Sequence, residues 1–265
     1  MIYNTLFKRI NYQNKRLLCN RHVSSIYIDK NVIIKSINNN HYNYKNEFTI
    51  IKQLNHRNII KLVDSYCDDN EVRLIYPFYK NKDIHDYLIS SNYDDETVDK
   101  VKLAIIFKKI IQPIKYLHIN NFVHLDLKLE NILLDIKHKK DNILDTLIAN
   151  EVILIDFELT RHLPYEYDKL VDIEIVCGTK NYMPPEIFEY KYGFASDIYS
   201  LGCIFFLLQF KRFPIKNDYL IQPELKLIPE LRDITMELLS KNHKHRPNIF
   251  GVEELLDCYI DNNLS

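Results

Sequence analysis

The spacing of apolar residues changes near residue 80, and the change separates two kinds of structure. Before it, short apolar runs alternate with turn clusters: HVSSIYI and NVIIKSI flank Asp29-Lys30-Asn31 and predict a β-hairpin. YKNEFTIIKQL places Phe48, Ile51 and Leu54 near helical spacing, and IIKLVDSY and EVRLIYPFY read as further strands. Past DIHDYL the period becomes helical. VDKVKLAIIFKKIIQPIKYLHINN predicts one long helix with Pro113 as a candidate kink, and 195–210 and 230–260 are also mostly helical. Two strands interrupt this part, ILLDI at 132–136 and EVILIDF at 151–157. The connection between them, 137–150, reads as an enlarged loop whose His138, Lys139 and Lys140 form a solvated turn. With no repeat and no Pro/Gly/Ser linker, residues 1–265 read as one α+β domain of two lobes. A small antiparallel sheet with one helix (1–79) precedes a larger, mainly helical part (80–265).

Composition narrows the class. At 265 residues and 46% hydrophobic, the chain can fill a sizeable core. Lys+Arg 35 against Asp+Glu 36 leaves a net charge of -1, so the overall balance points neither to nucleic acid nor to an anionic membrane surface. The most apolar run, LGCIFFLLQF at 201–210, is about half the roughly 20 residues that span a bilayer. Five scattered cysteines without a CxxC pair argue for reduced thiols, as in cytoplasm or nucleus. All 4 glycines lie from Gly178 onward, which excludes a glycine-dependent phosphate loop in the first two thirds. Heavy use of Asn, Ile, Lys and Tyr, whose codons are A/T-rich, speaks of the source genome rather than of chemistry.

Chemistry concentrates in FVHLDLKLENILL. Asp126, Lys128 and Asn131 share a short loop between buried elements, where they can present a base, a phosphate-binding cation and a metal ligand on one edge. A hairpin of ILLDI with EVILIDF would return Asp156 beside Asn131. These residues resemble the eukaryotic protein kinases, and the resemblance runs from roughly residue 10 to 260. HLDLKLEN is similar to the catalytic loop HRDLKxxN, IDFELT to the DFG segment, GTKNYMPPE to GTxxYxAPE, and SDIYSLGC to SDxWSLGC. HRPN supplies Arg246, expected to pair with Glu186. VIIK puts Lys35 where the family's lysine grips the α/β-phosphates, with Glu47 as its helix partner.

The resemblance implies a bilobal protein kinase fold and a protein serine/threonine kinase that uses ATP and Mg²⁺ on a protein substrate with a Ser/Thr acceptor. Asp126 would be the base, Lys128 the γ-phosphate contact, and Asn131 and Asp156 the metal ligands. Tyr76 falls in the gatekeeper position of the hinge Tyr76-Pro77-Phe78-Tyr79; since Pro77 lacks an N–H, adenine contacts are expected at Tyr79. Three departures favour the alternative, a pseudokinase serving as a binding module or decoy. Counting back from Lys35 puts the glycine-loop positions on RLLCNR, with Arg16, Leu18 and Arg21 in place of glycines. The two arginines could meet phosphate oxygens directly. Leu125 replaces the arginine that receives a phosphorylated activation loop. Glu158 replaces the DFG glycine, either joining the Mg²⁺ shell or repelling phosphates. Separately, the segment from Gly202 to Arg246 is short, which implies a reduced substrate-docking helix in a minimal kinase. Between Arg161 and Gly178 the only hydroxyl acceptors are Tyr165 and Tyr167, so activity is expected not to need loop phosphorylation. Glu130, assisted by Asp83, would favour basic peptides. Compact size and A/T-rich coding suit a virus or an intracellular parasite acting in a host cell.

Overall fold

The computed structural model describes residues 15–20, 24–38, 44–67, 70–80, 83–89, 99–163, 169–216, 219–220 and 229–264. Strand β1 (Arg16–Asn20) pairs antiparallel with β2 (Ser24–Asp29), which turns through Lys30 and Asn31 into β3 (Val32–Asn38). Lys30 takes the left-handed backbone (φ 54) that a two-residue hairpin turn of this hand requires. Helix α1 (Tyr44–Ile51) follows, then β4 (Asp64–Cys67) and β5 (Glu71–Pro77). The five strands form one antiparallel sheet in the order β1-β2-β3-β5-β4.

Only the second half of IIKLVDSY joins that sheet. Ile59 bridges Leu154 in parallel, and the Ile60 N–H donates to the Leu154 carbonyl at 3.0 Å. The backbone of this stretch therefore ties the sheet lobe to the rest of the chain before β4 begins.

Beyond the sheet, α2 (Ile84–Ile89) leads to α3 (Lys100–Ile119), whose first turn is capped by Asp99 accepting from the Lys102 N–H. The helix runs on through Pro113, which is buried with Ile110, Ile114 and Leu117 on the core side. Strand β6 (Phe122–Val123) precedes the loop of candidate chemistry; β7 (Ile132–Asp135) then leaves it. Residues 137–150 are not simply a loop. They contain α4 (Ile143–Ala149), capped by Asn142, with Leu144 and Leu147 buried three residues apart. Lys109 Nζ donates to the last carbonyls, Ile148 and, at 2.7 Å, Asn150. The stretch 138–140 is exposed, as a solvated turn should be.

Strand β8 (Glu151–Leu154) pairs antiparallel with β7, in the register Ile132 opposite Leu154. β9 (Arg161–His162) pairs with β6, and β10 (Val171–Asp172) pairs with β11 (Lys191–Tyr192) across α5 (Pro185–Phe188). Helix α6 (Phe194–Phe210) is buried almost throughout, in keeping with its continuous apolar run, and α7 (Pro229–Leu238) and α8 (Ile249–Leu264) pack on it and on α3. One core spans both parts, with Ile37, Leu74 and Tyr76 from the sheet, Phe107 and Phe205 from the helices and Phe157 from the segment after β8. Among the described residues no helix is long and apolar enough to cross a membrane.

Candidate active site

A cavity of about 410 Å³ lies between the two lobes. Ile26 and Ile33 of the sheet face Leu133 and Ile155 across it, two apolar plates suited to a flat aromatic ring. Lys35, Glu47, Asn131 and Asp156 line its polar end, and Tyr76, Pro77, Phe78 and Tyr79 its inner edge. The Phe78 N–H is already given to the Asn31 carbonyl at 2.9 Å, and Pro77 has none. Tyr79 carries the next N–H along this edge.

Lys35 sits at the centre of the polar end, 6% exposed. Its ammonium donates to Glu47 Oε2 at 2.6 Å and Asp156 Oδ1 at 2.8 Å, and lies 3.2 Å from Glu158 Oε2. Burial works against the charge of Lys35, but the carboxylates of Glu47, Asp156 and Glu158 outweigh it and raise the pKa. Burial raises the Glu47 carboxyl as well, against the pull of Lys35. Both Glu47 oxygens nevertheless act as acceptors, because the Tyr76 hydroxyl donates to Oε1 at 2.9 Å, an arrangement for an ionised carboxylate. Burial, then Glu47, raises the pKa of Tyr76 and keeps it a donor. Ligand atoms of Glu47, Asp156 and Glu158 come within 4.8 Å of one another. The Lys35 ammonium already binds all three, so this acid group is its cage.

The loop that carries Asp126 is held from below. The carboxylate of Asp197, fully buried on α6, accepts from the His124 N–H at 2.8 Å and the Leu125 N–H at 2.9 Å, with His118 Nε2 3.0 Å away. That anchor lets Leu125 take a left-handed backbone (φ 67) just before Asp126. Gly178 packs against the same bend: its φ is +110, and a Cβ there would lie 2.9 Å from the Leu125 carbonyl. His124 is structural. Its Nδ1 accepts from the Asp126 N–H, its Nε2 lies 3.3 Å from the Ile155 carbonyl, and its ring meets Phe157 edge-on.

Asp126, Lys128 and Thr179 close a triangle. Lys128 Nζ donates to Asp126 Oδ2 at 2.7 Å and to Thr179 Oγ1 at 2.8 Å, while the Thr179 hydroxyl donates to Asp126 Oδ1 at 2.6 Å. Asn131 is buried and turns its amide nitrogen to the Asp126 carbonyl (2.9 Å) and Oδ2 (3.2 Å). Its carbonyl oxygen is thereby directed away from Asp126. The Ile155 N–H donates to the Asn131 backbone carbonyl at 3.0 Å, so the β7–β8 pairing brings Asp156 beside Asn131 as expected. Asp156 itself holds a left-handed φ of 65. A carboxamide oxygen and a carboxylate at the end of one cavity are hard oxygen donors, and their chemistry fits a hard divalent cation.

Arg246 reaches Glu186 through two bonds, 2.6 and 2.8 Å, both side chains buried. Two sequence expectations fare differently. Arg16 stands opposite Ile28, at the end of β1 away from the β1–β2 turn; it is exposed and does not line the cavity. The count back from Lys35 misplaces it: Arg16 opens β1, and the end of β1 nearest the start of β2 at Ser24 is Asn20, four residues on. Arg21 lies outside the described residues. Sequence reasoning gave no role to Thr179 or Asp197, although both stand inside quoted motifs, and it missed the Tyr76–Glu47 bond altogether.

A two-lobed α+β fold with a lysine–glutamate pair, an Asp-Lys-Asn loop and a second aspartate converging on one interlobe cleft defines a protein kinase fold. Residues 15–258 match the family model described as Protein kinase domain, and the chain belongs to the eukaryotic protein kinase superfamily. A putative serine/threonine-protein kinase of Acanthamoeba polyphaga mimivirus is 30% identical over 280 residues, covering 98% of this chain and 92% of that protein. Calcium-dependent protein kinase 4 of Plasmodium berghei is 36% identical over 162 residues, which is 61% of this chain and 28% of that protein. The polo kinase of Drosophila melanogaster is 29% identical over 216 residues, 77% of this chain and 34% of that protein. The alignment thus takes in under a third of the Plasmodium relative's own length.

Proposed function

We propose that this chain is a protein serine/threonine kinase that transfers the γ-phosphate of ATP to a Ser or Thr hydroxyl of a protein, with Asn131 and Asp156 holding Mg²⁺. The observation that carries the reading is the Asp126–Thr179–Lys128 triangle. There a hydroxyl already donates to Asp126 Oδ1, while the Lys128 ammonium donates to that same hydroxyl oxygen and to Asp126 Oδ2. A substrate hydroxyl in the place of the Thr179 hydroxyl would give its proton to Asp126, and Lys128 would meet the negative charge that develops on the transferred group. Lys35, held charged, faces the α/β-phosphates, and Ile26, Ile33, Leu133 and Ile155 enclose the adenine, with Tyr79 at the hinge. Bound Mg²⁺ supplies charge neutralisation between the phosphates.

Leu125 supports activity without loop phosphorylation. In place of a cation for a phosphate, it packs with Leu163, Cys177 and Ile187 and seats the segment through apolar contact. Asp83 and Glu130 on the cavity rim support a preference for basic peptides, although Glu130 already accepts from the Tyr182 hydroxyl at 3.1 Å. One observation favours the pseudokinase: Glu158 adds a third carboxylate to Lys35. Transfer from radiolabelled ATP to basic proteins decides between them. Wild type should label Ser/Thr and Asp126→Asn should not. No transfer, together with no Mg²⁺-dependent thermal shift by ATP, would leave the binding module.

A further inference from the structure

Glu158 replaces a glycine, yet its backbone needs none of glycine's freedom. Among the described residues with positive φ it is absent, so an ordinary L-residue fits the turn without strain. The Thr160 N–H closes that turn on the Phe157 carbonyl at 3.2 Å. The side chain of Glu158 reaches the Lys35 ammonium at 3.2 Å, behind the shorter contacts to Glu47 and Asp156. A second tie comes from the opposite side. Asn46 precedes Glu47 on α1, and its amide nitrogen donates to the Glu158 carbonyl at 3.0 Å and to the Thr160 carbonyl at 2.8 Å. Both amide hydrogens are thus used on the turn, more than a hundred residues away in sequence.

We propose that Asn46 and Glu158 are positioning residues that lock α1 to the 157–160 turn, holding Lys35, Glu47 and Asp156 in register with no phosphate on the activation loop. For α1 to swing outward, the Lys35–Glu47 pair must break together with both Asn46 bonds. The Glu158–Lys35 contact ties β3 to the same turn, which keeps Lys35 where Glu47 of α1 meets it. A side chain at 158 also removes backbone states that glycine would populate, so fewer alternatives compete with this turn. The catalytic consequence rests on the kinase reading; the lock itself is a property of the nucleotide-free chain.

The test is hydrogen exchange of the α1 amides, read by mass spectrometry in nucleotide-free protein, for wild type, Asn46→Ala, Glu158→Gly and Glu158→Gln. Asn46→Ala and Glu158→Gly should each speed exchange in 47–51 by roughly five- to tenfold, as expected for losing one or two net hydrogen bonds. Their combination should fall short of the product of the two effects, because both act on one lock. Glu158→Gln keeps an acceptor for Lys35 and a non-glycine backbone, so it should recover most of the protection. In the transfer assay Asn46→Ala and Glu158→Gly should raise KM for ATP more than they lower kcat. Unchanged α1 exchange in both Asn46→Ala and Glu158→Gly overturns the lock. So does a lower KM for ATP in Glu158→Gly, which would make Glu158 a brake on Lys35. If Asn46→Ala fails to show a cooperative thermal transition, the Glu158 pair carries the test. A wild type without transfer activity refutes the kinase reading and leaves the exchange result to decide the lock.

Discussion

Replacing Arg246 by methionine keeps a long apolar stem and removes every donor of the guanidinium. In the folded chain Nη1 donates to Glu186 Oε1 at 2.6 Å and to the Ala195 carbonyl at 2.8 Å. Nη2 donates to Glu186 Oε2 at 2.8 Å, and Nε to the Ser240 carbonyl at 2.8 Å. In Arg246→Met the buried Glu186 carboxylate keeps, among the described residues, the Ser196 hydroxyl at 3.0 Å. Stranding one member of a buried ion pair costs about 3–5 kcal/mol. That is a large part of the 5–15 kcal/mol typical of a folded domain. At about 2–4 °C per kcal/mol for a chain of this size, the melting temperature should fall by roughly 6–20 °C. Thermal unfolding followed by circular dichroism measures the loss. Adding Glu186→Leu removes the stranded charge, so the double variant should be more stable than Arg246→Met alone. A loss under about 1 kcal/mol in the single variant, or a double variant as unstable as the summed singles, would refute the argument that charge stranding sets the cost.

Other outcomes follow from the same geometry. Asp126→Asn should lower kcat by about 10²–10⁴-fold while preserving the thermal shift given by MgATP, and wild-type turnover in this variant would remove Asp126 as the base. Tyr76→Phe takes away the donor to Glu47 Oε1. It should cost about 1–3 kcal/mol in denaturant unfolding, and a neutral result would show that water replaces the hydroxyl there. Cys19, Cys67 and Cys258 are exposed, whereas Cys177 and Cys203 are buried and burial pushes both thiols up. Since a raised pKa leaves less thiolate at any given pH, iodoacetamide at pH 8 should label the first three in native protein and the other two only after unfolding. Native labelling of Cys203 as fast as Cys67 would contradict the packing of α6.

The sequence by itself determined whatever lies within one element or its immediate neighbours. The two-lobed α+β order followed from periodicity, and the Asp126-Lys128-Asn131 loop from residue types a few positions apart. The strand β7–β8 hairpin was legible too, and with it the return of Asp156 to Asn131. Tertiary structure decided the pairings whose partners are far apart, because these depend on register and packing rather than on local pattern. Tyr76 meets Glu47 only because β3 and β5 align Ile33 with Tyr76 while α1 packs over them. Asp197 can hold the His124 and Leu125 N–H groups only because α6 is buried beneath the loop. The β1–β2 register, with Arg16 opposite Ile28, set Arg16 off the cleft, and two capped ends with a pair of buried leucines made a helix where the sequence read as a loop. Glu158 shows the division most clearly. Its identity marked it as foreign to a glycine's place, but only the backbone angle and the positions of Lys35 and Asn46 decide what it does there.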